Sequence, residues 1–121
     1  MEKITVSTRS TARESSGPAS IEIDILDGKG AVIFEVSESI GNATNEYAAY
    51  FAVVRALQVL DEQFGEKTTN IDVEVKMDSE IVMKQLTGER PIKEPGIVPL
   101  FIEVHNLRVV HFPNLTVTHS T

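Results

Sequence analysis

Cysteine is absent from this sequence, which excludes disulfide staples, zinc-thiolate sites and thiol redox chemistry. Long apolar runs are missing too. None approaches the ~20 residues of a membrane span, and the opening Met1-Glu2-Lys3-Ile4-Thr5 lacks the cationic and apolar regions of a secretory signal. These absences predict a cytoplasmic protein with no membrane partner. Basic residues are scarce: 11 Lys plus Arg stand against 18 Asp plus Glu, a formal charge of -7. That balance works against nucleic-acid binding, whose non-specific part comes from cations meeting phosphates. A nucleic-acid partner would require the few cations to be clustered.

What is present suffices for one domain over residues 1–121, long enough to bury a core. A strand is expected from Lys3 to Arg9, followed by a polar, turn-forming stretch from Ser10 to Ser16 and then Gly17-Pro18. A hairpin comes next. Ile21, Ile23 and Ile25 alternate with Glu22 and Asp24, Asp27-Gly28-Lys29-Gly30 supplies the turn, and Ala31 to Ser37 returns. Charge on one face of this hairpin means that part of the sheet meets water.

Asn42-Ala43-Thr44-Asn45 offers capping side chains to a long helix, with Tyr47, Tyr50, Phe51, Val54, Leu57 and Phe64 roughly on one face and Gly65 at its end. A short apolar strand, Ile71 to Met77, leads through Asp78 into a helix from Ser79 to Leu86. Thr87-Gly88 stops that helix, and Arg90 to Gly96, with two prolines, is an irregular connection. Ile97, Leu100, Phe101, Val104 and Leu107 mark another amphipathic helix, and a last strand spans Leu115 to His119. The order β-β-β-α-β-α-α-β predicts an α/β fold: a mixed five-stranded sheet, a three-strand antiparallel meander plus two further strands, flanked by helices.

Three blocks in this order resemble the ribonuclease H type 1 family over essentially the whole chain. Val6-Ser7-Thr8-Arg9-Ser10 through Ser16-Gly17-Pro18-Ala19 fits the family's first strand and small-residue loop without a gap. Ala43-Thr44-Asn45-Glu46-Tyr47-Ala48-Ala49-Tyr50 fits the opening of its first helix. Asp78-Ser79 with Gln85-Leu86-Thr87-Gly88-Glu89 fits its third block.

The resemblance implies hydrolysis of the RNA strand of an RNA-DNA hybrid by two magnesium ions about 3.5 to 4 Å apart, held by four converging carboxylates. Manganese is the other metal that this chemistry would accept. Carried over position by position, the first carboxylate falls on Arg9 and the second on Ala49, while the third is kept as Asp78. The fourth is expected on a C-terminal helix after the last strand, and the single domain of residues 1–121 is expected to lack that helix, since the sequence stops at Thr121. A guanidinium where metal should bind is worse than a missing ligand. Unit charges at ~4 Å and an effective dielectric near 20 interact by about 4 kcal/mol, and a divalent ion doubles that. Glu46, three residues before Ala49, is the substitute acid that helix geometry allows.

The site residues thus expected are Asp78 as the retained metal position, Glu46 as its stand-in partner, and Thr44, Asn45, Lys84, Arg90 and Lys93 as substrate contacts. Each also has a plainer role. Asp78 suits a helix N-cap, Thr44 and Asn45 suit capping of the long helix, and Glu89 and Glu94 dilute the cations around them. His105, His111 and His119 lack zinc-site spacing and are expected to be structural or surface residues. Tyr47, Tyr50 and Phe51 follow helical spacing and belong to the core rather than to a stacking platform.

Arg9 and Asp78 are expected to meet as a charge-assisted pair across neighbouring strands, where metal would otherwise join two carboxylates. The function expected is a degenerate ribonuclease H-like domain without hydrolysis or cofactor, serving as a nucleic-acid-binding or protein-interaction module. Its partners are a weakly held RNA-DNA hybrid or other nucleic acid, a protein, or a second copy of the chain. The alternative is an active magnesium-dependent ribonuclease H with an atypical or partner-completed site.

Overall fold

The computed structural model describes residues 2–12 and 17–120. They form β1 (Glu2–Ala12), β2 (Gly17–Leu26), β3 (Val32–Ala43), α1 (Asn45–Phe64), β4 (Ile71–Met77), α2 (Glu80–Leu86), α3 (Val98–Val110) and β5 (Leu115–His119). Short 3-10 turns at Gly65–Asn70 and Pro95–Ile97 complete the chain. The strands lie in the order β3-β2-β1-β4-β5. β1, β2 and β3 pair antiparallel, whereas β4 runs parallel to both β1 and β5. This is the mixed five-stranded sheet with flanking helices that the sequence predicts.

Alternation along the strands decides which face is dry. Ile4, Val6 and Thr8 of β1, Ile21, Ile23 and Ile25 of β2, and Val73, Val75 and Met77 of β4 are all buried. α1 lies across that face. Each of the apolar side chains among these contributes roughly 1.5 to 3 kcal/mol through its removal from water. The intervening residues face the other way, with Arg9 opposite Glu22 and Ser7 between Asp24 and Lys76.

The strands outrun the sequence expectation at three places, the first being β2, which begins at Gly17, inside the expected turn, rather than at Ile21. β1 continues past Arg9 because Ser10, Thr11 and Ala12 pair with Ile21, Ser20 and Ala19. The remainder of the expected polar turn, residues 13–16, lies outside the described residues. β3 continues past Ser37 to Ala43 through an irregularity at Ala19/Ser20 of its partner. Gly41 takes φ +79 there, a conformation that a side chain would disfavour.

Thr44 caps α1, its Oγ1 accepting the Tyr47 N–H at 3.1 Å, and Gly65 at φ +53 ends it. The predicted apolar face of this helix was too narrow. Ala48, Ala49, Ala52 and Ala56 are buried with Val53, Val59 and Leu60, while Tyr47, Phe51 and Phe64 are only partly so. The reason is that α1 touches the sheet, α2 and α3 together, so small side chains are needed around most of its circumference. α3 turns Val104 inward, with Leu100, Phe101 and Leu107 packed beside it. No helix among the described residues is long and apolar enough to cross a membrane.

Candidate functional site

β4 delivers Asp78 just past its last paired residue, Met77, beside Thr8 of β1. The side chain is exposed, and its Oδ2 accepts the Ser10 N–H at 3.3 Å. Asp78 is not the helix cap. That role belongs to Ser79, whose Oγ accepts the Val82 N–H at 3.3 Å. One residue of extended chain therefore separates the carboxylate from α2 and leaves it at the carboxyl end of β4, an inner strand of the sheet.

Arg9 does not pair with Asp78. Its Nε and Nη2 donate to Glu22 Oε2 at 3.1 and 2.8 Å, and Nη2 also reaches Asp24 Oδ2 at 3.2 Å. The hydrogen bond to Glu22, helped by the charges of both acids, raises the guanidinium's pKa above its ordinary value. The physical reason is that β1 has a neighbour on each side, and the acids of β2 lie nearer the guanidinium than the end of β4 does. Glu22 stands directly opposite Arg9 on β2, and Asp24 follows two residues later on the same face. Alternation in the sequence already carried that signal.

Ala49 is 2% exposed and belongs to the main core cluster. It offers a methyl group to its surroundings. Glu46 lines a surface depression of about 410 Å³ with Thr44, Asn45, Lys93 and Glu94. Three of the expected substrate contacts, Thr44, Asn45 and Lys93, are thus brought together with the expected stand-in acid. Thr44 Oγ1 also donates to Glu94 Oε2 at 3.4 Å.

The other two cations sit apart from that depression. Lys84 Nζ is 2.9 Å from Glu80 Oε1, one helical turn away. The Lys84 hydrogen bond and charge, with the charges of His119 and Arg90, lower the Glu80 pKa. His119 Nδ1 lies 3.9 Å from Glu80 Oε2, and His111 Nδ1 lies 3.6 Å from Asp61 Oδ1. The two histidine contacts join residues distant in sequence, and spacing along the chain gives no sign of them.

Sequence reasoning gave no role to Gln85. Tyr50, fully buried, donates its hydroxyl to Gln85 Oε1 at 2.8 Å. Burial first, and then the nearby Glu46 charge, push the Tyr50 pKa upward, so the hydroxyl keeps its proton and remains a donor.

Two magnesium ions require several hard oxygen donors in octahedral array. Among the described residues, no three acidic or histidine side chains converge in a way that could hold a metal ion. Of the residues expected at the metal, Asp78 presents an exposed carboxylate, Ala49 a buried methyl group and Arg9 a guanidinium already held by two acids. That donor set does not fit the metal pair.

Comparison with known proteins agrees with this architecture. The Reverse transcriptase-like family model matches residues 7–121. The chain is 32% identical over 108 residues to Ribonuclease HI of Halobacterium salinarum, covering 89% of this chain and 51% of that protein, so it spans about half of the relative's length. The structure of LC11-RNase H1, isolated from compost by a metagenomic approach, superposes with a TM-score of 0.91 at 39% identity, over 99% of this chain and 85% of that one. The same LC11-RNase H1 in complex with an RNA/DNA hybrid also gives 0.91, at 38% identity, over 97% of this chain and 84% of that one. A family match along nearly the whole chain, on the sheet order and helix placement described above, establishes that this protein belongs to the ribonuclease H-like family.

Proposed function

We propose that this domain, homologous to the enzymes that act on RNA-DNA hybrids, has lost metal-dependent hydrolysis and serves as a nucleic-acid-binding or protein-interaction module. The observation that carries the reading is the fate of the first family position. Arg9 brings a cation where a metal ligand is required, and Glu22 and Asp24 hold it. With Ala49 contributing only a methyl group, Asp78 is too little to bind magnesium or manganese in the manner that hydrolysis needs. In this reading residues 1–121 act as one domain in the cytoplasm and need no cofactor.

Binding to a hybrid is supported by LC11-RNase H1, whose similar fold is solved with an RNA/DNA hybrid. The gathering of Thr44, Asn45 and Lys93 around one depression at the start of α1 supports it further. The charge of -7 keeps such binding in the non-specific range, about 10⁻⁴ to 10⁻⁶ M at physiological salt or weaker.

A second reading has one observation in its favour. Asp78 is retained, exposed, and bonded to a backbone amide rather than to a cation. An active magnesium-dependent ribonuclease H would use it together with donors from a partner or from elsewhere in a longer chain. Incubating the purified domain with a labelled RNA-DNA hybrid and magnesium or manganese separates the two. Intact hybrid supports the module, and metal-dependent cutting of the RNA strand supports the enzyme.

A further inference from the structure

The connection between α2 and α3 carries Arg90 and Lys93, and side chains with no part in metal chemistry hold it in place. Gln85 is 5% exposed. Its Oε1 accepts from the Tyr50 hydroxyl at 2.8 Å, and its Nε2 donates to the Pro91 carbonyl at 3.4 Å. Upstream, the N–H groups of Glu89 and Arg90 both bond to the Lys84 carbonyl, at 2.8 and 3.2 Å. Downstream, Glu94 accepts from Thr44 at 3.4 Å. A buried amide stabilises nothing by burial alone and is costly unless its hydrogen bonds are made. Here both ends are used, one toward α1 and one toward the connection.

An apolar residue at position 85 would leave the buried Tyr50 hydroxyl without its Gln85 acceptor. It would not reach Pro91. The bond to Pro91 constrains the chain two residues before Lys93, on the side opposite the Glu94 contact, and Lys93 is delivered to the depression lined by Thr44, Asn45 and Glu46. Lys93 itself is exposed, so what fixes its place is the backbone beneath it.

We propose that Gln85 is a positioning residue: through Pro91 it holds Lys93 beside Thr44 and Asn45, where the ammonium meets a phosphate of a bound nucleic acid. The proposal rests on the nucleic-acid-binding reading above. Tyr50 is the second member of the relay, fixing the Gln85 amide so that its nitrogen faces the connection.

The test uses the 121-residue chain and a fluorescently labelled RNA-DNA hybrid, with affinity measured across a series of salt concentrations. Lys93→Gln should weaken binding and lower the slope of log affinity against log salt by roughly one phosphate contact, about 0.7 to 0.9. Gln85→Met should do the same, and adding Lys93→Gln to it should change nothing further. Trypsin supplies an arm that needs no ligand. Cutting after Lys93 should become roughly tenfold faster in Gln85→Met, as expected for one buried hydrogen bond, while cutting after Lys29 and Lys67 stays unchanged. Tyr50→Phe should move both readouts in the same direction by less, and it carries the test if Gln85→Met does not fold. Additive effects of the two substitutions on binding, or uniform acceleration of all trypsin cuts, would show that Gln85 merely stabilises the fold and would overturn the proposal. Absence of wild-type binding at the lowest salt would overturn the nucleic-acid reading, and the phosphate role of Lys93 with it.

Discussion

Arg9 donates to Glu22 at 2.8 Å across the β1–β2 pair, and Asp24 takes a second bond from the same nitrogen at 3.2 Å. The guanidinium therefore leans toward β2, whereas Asp78 lies at the end of β4 on the opposite side of β1. Arg9 is neutralised by acids on its hairpin neighbour, and Asp78 is left to a backbone amide.

The Arg9 and Glu22 side chains are 49% and 56% exposed, so solvent screens most of their attraction. Arg9→Ala should destabilise the domain by less than about 1 kcal/mol in urea denaturation, and the difference should shrink at high salt. A loss of several kcal/mol would mean that the triad is buried in solution.

Hybrid cleavage should be absent with either magnesium or manganese, and Asp78→Asn should leave that result unchanged. The expectation follows from a mechanism in which metals supply the nucleophile and stabilise the leaving oxygen, in a chain whose donors do not fit them. Cleavage that requires metal and disappears in Asp78→Asn would sink the inactive reading.

Affinity for hybrid or duplex should be weak and should fall steeply with salt, because any contribution from Lys84, Arg90 and Lys93 is electrostatic. Lys84 is already paired with Glu80, so Lys84→Gln should change binding less than Lys93→Gln. A complex that persists at high salt would point to a dedicated groove that the charge distribution does not reveal.

The fold was legible because its signals are local. Alternation in Ile21 to Ile25, the Asp27–Gly30 turn, Thr44 ahead of α1 and Gly65 behind it each act over a few residues, and each appears in the structure where the sequence puts it. The site was less legible because its contacts are not local. Which acid Arg9 chooses depends on strand register, and the Tyr50–Gln85–Pro91 relay joins α1, α2 and a loop. The alanines of α1 were also underestimated. They carry little hydrophobic signal by themselves, yet they are what allows a helix enclosed by a sheet and two other helices to pack closely.

Restoring carboxylates should restore metal sensitivity. Arg9→Asp together with Ala49→Glu adds acids at the two further positions that the proposed function assigns to metal ligands, and magnesium should then raise the melting temperature of the double variant but not that of the wild type. Without metal the double variant should melt lower than the wild type, because position 49 is 2% exposed and a carboxylate there loses its hydration. A melting shift of the wild type with magnesium would overturn the argument that its donors are too few.

Tyr50 gives the domain an alkaline sensitivity whose sign can be worked out. Burial, reinforced by the Glu46 charge, raises the folded-state pKa of its hydroxyl above the ordinary value of 10.0. Below pH 10 both folded and unfolded chains keep the proton and stability is unaffected. Above it the unfolded chain loses the proton while the folded chain retains it, so stability falls by about 1.4 kcal/mol per pH unit until the raised folded value is reached. Tyr50→Phe removes the ionisation along with the bond to Gln85. It should therefore be less stable than wild type at pH 8, by roughly 1 to 2 kcal/mol for one buried hydrogen bond, yet lose less on going to pH 11. Urea denaturation of both proteins at the two pH values checks this, and equal losses would show that Tyr50 ionises in the folded chain as freely as in the unfolded one.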